Sequence, residues 1–295
     1  MTRMGLGTAQ LGDLFTPLDQ ADANAIVEAA LEHGIRHFDT APHYGLGLAE
    51  ERLGIALDGH DRDDVVISTK VGRIIEGTGT GARRRWDFTR EGVEESLSSS
   101  LHRLGSERVD IAFIHDPDEH VDDAMTHAVP ALMRMRDQGD VGAVGVATRD
   151  VAALTRFVEE VDIDVVMIAG RLTLLDHTAL RELVPACEAR GVSVMNAGVF
   201  NSGVLATDAP DARGHFEYQA PSVEILRRAR QLADAAGRHG YTLPEAAVAF
   251  AMRPAPPVVS VVIGAETPAQ VSRNAALFDA HGDVDGLIEE VLEMA

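Results

Sequence analysis

Cysteine is almost missing from this sequence. Cys187 is the single one, so no disulfide can form within the chain, and a reducing compartment suits it. Long apolar runs are missing too. No stretch approaches the ~20 residues that a membrane-crossing helix needs, and the opening MTRMGLGTAQLG lacks the apolar segment of a secretory signal. The expectation is a cytoplasmic protein with no membrane contact. Positive charge is scarce: 26 Lys+Arg stand against 47 Asp+Glu, a net charge of -21. Nucleic acids and anionic membranes are polyanions, so neither is an expected partner. Lysine occurs once, at Lys70, and every other basic residue of the Lys/Arg pair is arginine. An amine has a pKa that its surroundings can move, whereas a guanidinium stays charged. Ser- or Pro-rich linkers are also lacking, which leaves one domain over residues 1–295.

What is present is ordinary for a globular chain, with 45% hydrophobic and 25% charged residues. Short β-branched or apolar runs read as strands at Met4–Thr8, His37–Thr40, Val65–Lys70, Val109–His115, Val141–Ala147, Val165–Gly170, Val192–Ala197 and Val258–Gly264. Between them, helical periodicity predicts helices over Asp19–Gly34, Ala49–Leu57, Thr89–Leu104, Asp122–Gln138, Val151–Glu160, Thr178–Arg190, Val223–His239 and Pro268–Ala280. Eight strands alternating with eight helices predict an α/β fold, a single (β/α)8 TIM barrel with its active site at the C-terminal rim. A doubly wound open sheet is the competing arrangement. Gly72–Asp87, Phe200–Ser222 and a helical Leu243–Met252 interrupt the alternation, and the first two follow strands.

Four polar residues sit at the ends of three consecutive strands. Asp39 closes the second, with Tyr44 in the loop beyond it; Lys70 closes the third and His115 the fourth. Neighbouring strands lie ~4.8 Å apart, so the four converge on one rim. A tyrosine with a pKa near ~10 handles protons poorly at neutral pH. A lysine cation beside it favours the phenolate, so the pKa of Tyr44 is expected to fall, with Asp39 balancing the ammonium. His115 can orient and polarise a substrate oxygen. This set exchanges a proton at a carbonyl or alcohol oxygen and moves no hydride, so a redox cofactor is implied. The bland alternative is an Asp39–Lys70 pair that merely plugs the barrel end.

Two other motifs are discounted. Gly77-Thr-Gly-Thr-Gly-Ala runs into Arg83-Arg84-Arg85-Trp86 rather than an apolar helix, and so reads as a loop, not a dinucleotide fingerprint. The potential ligands in His115-Asp116-Pro-Asp118-Glu-His120 read as a polar rim, and no metal is expected.

The stretch FDTAPHYGLGLAEERLGIAL resembles the aldo-keto reductase signature, and Lys70 in VVISTKVG and His115 in VDIAFIHD match that family's remaining catalytic positions. GLGTAQLG and GAETPAQVSRN extend the resemblance over almost the whole chain. It implies an enzyme, an NAD(P)-dependent oxidoreductase acting on CH–OH groups, in which Tyr44 is the general acid/base. Lys70 then acts as its partner, Asp39 supports the lysine, and His115 orients the substrate. It further implies an extended nicotinamide cofactor held by Gly7, Thr8, Asp39, Gly170, Phe200, Asn201, Ser202, Gly203, Gly264, Ala265, Glu266, Gln270, Arg273 and Asn274. Gln270 stands where many NADP-preferring members carry Arg, and Glu266 would repel a 2′-phosphate. NAD is therefore favoured over NADP, with Arg273 the residue that could reverse this.

AGRLTLLD, NAGVFNSGVLA and HDPDEH are similar to the branch holding D-threo-aldose (L-fucose) 1-dehydrogenases and pyridoxal dehydrogenases. Oxidation of an aldose hemiacetal to a lactone is the reading this favours, with Trp86 stacking on the sugar beside Tyr44 and His115. A pyridoxal 4-dehydrogenase or a general aldehyde reductase is the runner-up. Other classes are a cofactor-binding regulatory module, like the potassium-channel β-subunits of this fold, and a lyase forming a Schiff base through Lys70. The partner is a small carbonyl or sugar molecule; the sequence leaves the oligomeric state open.

Overall fold

The eight strand segments form one closed parallel barrel in the computed structural model, which describes residues 2–77, 81–253, 256–279 and 284–294. The strands are β1 (Met4–Gly7), β2 (His37–Asp39), β3 (Val66–Val71), β6 (Val109–His115), β7 (Val141–Thr148), β8 (Val165–Ala169), β9 (Ser193–Ala197) and β10 (Val258–Gly264), and β1 pairs with both β2 and β10 to close the ring. A separate hairpin of β4 (Arg73–Glu76) and β5 (Arg83–Trp86) rises between β3 and the next helix. The open-sheet alternative is thereby excluded.

The helices that wrap the barrel are α1 (Gln20–Glu32), α2 (Leu48–Leu57), α3 (Arg90–Leu104), α4 (Val121–Asp123), α5 (Val129–Gln138), α6 (Val151–Glu160), α7 (Leu183–Arg190), α8 (Val223–Arg238), α9 (Leu243–Ala251), α10 (Pro268–Asp279) and α11 (Asp285–Glu293). Local chemistry sets their ends. Thr89 accepts the Gly92 N–H at 3.1 Å to start α3, and Gly105 ends it with φ 60°, a left-handed turn suited to glycine.

Three sequence expectations are refined. The helix predicted over Asp122–Gln138 is broken by a π-turn at Ala124–Ala128, just ahead of Pro130, which has no N–H to give back to the preceding turn. The one predicted over Thr178–Arg190 splits into a 3-10 turn, Thr178–Leu180, and α7. The insertion Gly72–Asp87 is a β-hairpin in which Arg73 faces Trp86. Thr78, Gly79 and Thr80, at the centre of the glycine-rich motif, lie outside the described residues, as does Ala280. No helix among the described residues is long and apolar enough to cross a membrane.

The core has two shells. Leu97, Leu132, Leu154, Phe157 and their neighbours fill the space between helices and strands, while Ile111, Phe113, Val165, Met167, Met195 and Val262 form a separate interior cluster. Because strand side chains alternate, Ile111, Phe113 and His115 share one face of β6, and the interior stack therefore leads up to the site.

A buried carboxylate fastens the site-bearing strands to their helices. Glu50, on α2, accepts Thr69 Oγ1 of β3 at 2.6 Å and Arg103 Nε of α3 at 2.7 Å, and is fully buried. Four residues on, a Cβ at Gly54 would come within 2.7 Å of the Leu104 carbonyl, so only glycine lets α2 lie this close to α3. Ala49, Glu50, Leu53 and Gly54 of the signature stretch are thus packing residues. Glu50→Ala strands Arg103 without its anion and is expected to lower stability by about 3 kcal/mol or more. Glu94→Ala removes only an exposed i,i+4 partner of Arg90 and is expected to stay within about 0.5 kcal/mol. Urea midpoints of the two variants check the contrast.

Candidate active site

The C-terminal end of the barrel brings Asp39, Tyr44, Lys70 and His115 together. Lys70 Nζ donates to Asp39 Oδ2 at 2.7 Å and to the Thr40 carbonyl at 2.9 Å, and lies 4.9 Å from the centroid of the Tyr44 ring. The Tyr44 and His115 rings meet edge to face with centroids 6.3 Å apart. Lys70 is 2% exposed, Asp39 3% and His115 6%.

The backbone around Tyr44 is held from below. A Cβ on Gly45, whose φ is +62°, would fall 2.6 Å from the Gly12 carbonyl oxygen, and one on Gly12 would meet the Tyr44 carbonyl carbon at the same distance. The turn after β1 therefore presses directly on the loop that carries the phenol. Thr8 ties the same two strands together, its N–H and hydroxyl both donating to the Asp39 carbonyl at 2.9 Å.

Charge in the site follows from burial. Burial alone would depress Lys70, but Asp39 and then the Tyr44 phenol hold it above its ordinary value, so it is a stable cation. The sequence led to an expected fall in the pKa of Tyr44; the structure shows a rise, from 10.0 to about 12. Tyr44 as a residue is half-buried, yet its hydroxyl is ringed by protein, and loss of water outweighs the pull of Lys70. Asp39 cancels part of that pull and, with Tyr218, adds to the rise. Burial, helped by Lys70, Arg73 and His43, keeps His115 well below its usual pKa, so the imidazole is neutral near pH 7. Its Nδ1 has no hydrogen-bond partner among the described residues.

Of one wall of the site, the sequence reading placed only Trp86. Arg73, on β4, pairs with Asp116, donates to His43 Nδ1 at 3.1 Å, and lies 4.9 Å from the Trp86 ring on β5. Asp116 follows His115 with φ 42°, a strained value for a non-glycine residue. Trp86 is 45% exposed, with one face on Arg73. The His43 ring lies 5.8 Å from His115, and burial followed by Arg73 lowers its pKa to about 4. The extreme basicity of Arg83–Arg85 hid the strand that brings this wall in. From the loop after β9, Glu217 accepts Arg171 Nη2 at 2.6 Å and also pairs with Arg149. This pins the next residue, Tyr218, near the mouth. Among the described residues no group of three or more His, Cys, Asp or Glu is placed to hold a metal. In the loop after β6, Asp118 accepts the Thr148 hydroxyl and His120 packs on Phe88.

The residues expected to hold a cofactor occupy the ends of β1, β2, β8, β9 and β10 and the helix α10. Gly7 and Gly264 are paired across β1 and β10. Asn201, in the Phe200–Gly203 turn, donates its amide to the Gly170 carbonyl at 3.2 Å, and its Oδ1 is buried without a partner among the described residues. Beyond Ala265, the Glu266 N–H donates to Gln270 Oε1 at 2.7 Å, while Glu266 Oε1 is likewise unpartnered. Asn274 reaches the Gly264 carbonyl at 3.4 Å, and Arg273 donates to the Ala206 carbonyl at 2.7 Å. Ser202 Oγ accepts the Tyr218 N–H at 3.3 Å. Buried, under-used amide and carboxylate oxygens along a glycine-lined rim suit a nucleotide rich in hydroxyl and amide groups.

The sequence model described as "Aldo/keto reductase family" matches residues 3–286. A D-threo-aldose 1-dehydrogenase of a Pseudomonas species is 42% identical over 289 residues, covering 92% of this chain and 88% of that protein. The pyridoxal 4-dehydrogenase of Microbacterium luteolum is 33% identical over 310 residues, covering 95% and 90%. Among solved structures, the holo form of an aldo-keto reductase from Bacillus halodurans superposes with a TM-score of 0.81 at 24% identity, over 99% of this chain and 92% of that one. Barrel, rim and sequence agree: the chain belongs to the aldo/keto reductase family and is an NAD(P)-dependent oxidoreductase.

Proposed function

We propose that the chain oxidises an aldose at C1 to its lactone, preferring NAD, with Tyr44 as the group that takes the hydroxyl proton. The observation that carries the chemistry is the buried Lys70 ammonium beside the Tyr44 ring, anchored to Asp39 at 2.7 Å. The substrate class is supported by the 42% identity to a D-threo-aldose 1-dehydrogenase.

When bound, the oxidised nicotinamide supplies a positive charge and an acceptor for the C1 hydride. The protein's part is to hold the hemiacetal hydroxyl and remove its proton. His115, neutral in its buried setting, carries one ring N–H to set the hydroxyl's orientation. Tyr44 as phenolate accepts the proton, and Lys70 offsets the phenolate charge. In the reverse direction the protonated phenol donates to a carbonyl oxygen. Asn201, Glu266 and Asn274 are the residues proposed to hold the nucleotide. Trp86 and Arg73 would line the sugar side.

Tyr44→Phe is expected to lower kcat by about 10²–10⁴-fold with nicotinamide binding retained. The assay is nicotinamide absorbance with L-fucose, D-arabinose and pyridoxal. Turnover of pyridoxal with no response to either sugar would move the reading to the 33% identical relative's activity. Wild-type rates in the Phe variant would sink Tyr44's role.

The pH dependence has a definite sign. Oxidation needs the phenolate, and Tyr44 titrates at about 12 in the free chain, so kcat/KM for oxidation is expected to climb with pH through the alkaline range. The limiting slope is about tenfold per pH unit. Reduction needs the phenol and should be flat over the same span. An oxidation profile already level below pH 8 contradicts this.

NAD is expected to give the higher kcat/KM. Gln270 spends its side-chain oxygen on the Glu266 N–H and brings no positive charge, while the Arg273 guanidinium is engaged with the Ala206 carbonyl. Gln270→Arg should raise kcat/KM for NADP by about tenfold, the worth of one charge-assisted contact. Equal use of both cofactors by the unaltered enzyme counts against the preference.

A further inference from the structure

Below the four site residues lies a second buried polar layer. Ser68 precedes Lys70 by two residues on β3, and His37 precedes Asp39 by two on β2, so alternation turns each onto the same face as its partner. Both are fully buried. Ser68 Oγ donates to Asp39 Oδ1 at 2.8 Å, and His37 Nε2 lies 3.0 Å from Ser68 Oγ. On the far side of the imidazole, His37 Nδ1 is 3.4 Å from the Ser260 hydroxyl of β10, which is also 3.3 Å from the Thr2 carbonyl.

From Asp39 through Ser68 to His37 the donors have only one consistent direction. Asp39, ionised against Lys70, can only accept. Ser68 has one proton and gives it to Asp39, so toward His37 it can only accept. His37 must then carry its proton on Nε2 to bond Ser68, and Nδ1 is left bare beside Ser260, whose one proton goes to the Thr2 carbonyl. Burial lowers the pKa of His37 to about 4 despite Asp39, so the ring is neutral as this arrangement requires. The Asp39 carboxylate is therefore fixed by two bonds, Ser68 on Oδ1 and Lys70 on Oδ2. Lys70 has two N–H groups taken, by Asp39 and the Thr40 carbonyl, and one left for the Tyr44 side.

We propose that Ser68 and His37 are positioning residues for the proton transfer: their hydrogen bonds hold Asp39 in the pose that leaves the third N–H of Lys70 on the Tyr44 phenol. The proposal rests on Tyr44 being the acid–base group. Without Ser68, Oδ1 loses its donor in a low-dielectric interior, and the carboxylate charge is left to Lys70 alone. It then draws harder on the ammonium, less positive potential reaches the phenol, and the phenolate is harder to form. The ionisable groups that act on Tyr44 are Lys70 and Asp39 beneath it and Tyr218 from the loop after β9, with the His115 ring at its edge. Those that act on His37 include Asp39, Lys70 and Asp110. Neither Tyr218 nor Asp110 is bonded to Ser68, so the substitution leaves their own contacts in place.

The chain's single lysine allows a test that does not depend on turnover. Protein made with isotope-labelled lysine gives one side-chain NMR signal, that of Lys70. Ser68→Ala and His37→Leu should both shift that signal, whereas Ser68→Thr and His37→Gln, which keep a hydroxyl and an N–H donor, should shift it less. In the oxidation assay Ser68→Ala should lower kcat at pH 7 by about tenfold and move the alkaline rise upward by about one pH unit, since a tenfold loss of phenolate equals one pKa unit. KM and the dissociation constant for the nicotinamide should hold. A folded Ser68→Ala protein with an unmoved Lys70 signal overturns the proposal. If instead Tyr44→Phe turns over normally, the underlying acid–base reading has failed. If Tyr44→Phe is inactive and Ser68→Ala keeps the wild-type pH profile, only the positioning role falls.

Discussion

The buried pair of Lys70 and Asp39 is the constraint around which the barrel's upper end is built. Two charges removed from water cost several kcal/mol each unless geometry and further hydrogen bonds compensate. Here they do: Asp39 receives Ser68 as well as Lys70, and Lys70 has the Thr40 carbonyl as well as Asp39. Nothing about such a pair favours stability over a well-packed apolar alternative. Its presence above the apolar cluster of Phe113, Met167 and Met195 agrees with the chemical role proposed for it.

Parallel closure makes that pair possible. Every barrel strand ends on the same rim, so a cation on β3, a carboxylate on β2 and an imidazole on β6 meet without any long excursion of the chain. The opposite arc, from β8 through β10 to β1, carries Asn201 and Glu266, each with a buried side-chain oxygen unpartnered among the described residues, and Asn274. The groups proposed to handle the proton and those proposed to hold the nucleotide thus occupy different sectors of one opening. Glu50 braces the first of these sectors by locking α2 and α3 to β3 from outside.

Much of this was legible in the sequence because the signals were local. Runs such as VVIS and VVSVVI have the continuous apolar character of parallel strands covered on both faces, and all eight barrel strands lie where those runs predict. The convergence of Asp39, Tyr44, Lys70 and His115 followed from strand spacing alone. What escaped depended on burial or on residues far apart in the chain. The direction of the Tyr44 shift is a balance between desolvation and one cation, and proximity to Lys70 says nothing of how much water the phenol loses. The β4–β5 hairpin escaped because Arg83-Arg84-Arg85 offers no apolar alternation, its pairing with Arg73–Glu76 being supplied by the backbone. Ser68 and His37 were within reach, since a two-residue step back from Lys70 and from Asp39 lands on them.

That hairpin also fixes where the protein's only indole sits. Trp86 stands at the barrel mouth, 45% exposed and packed on the Arg73 guanidinium, far in character from the apolar interior. Intrinsic tryptophan emission from this molecule is consequently a single-point probe of the doorway. It registers events at the opening and is blind to the strands and helices that hold the barrel shut.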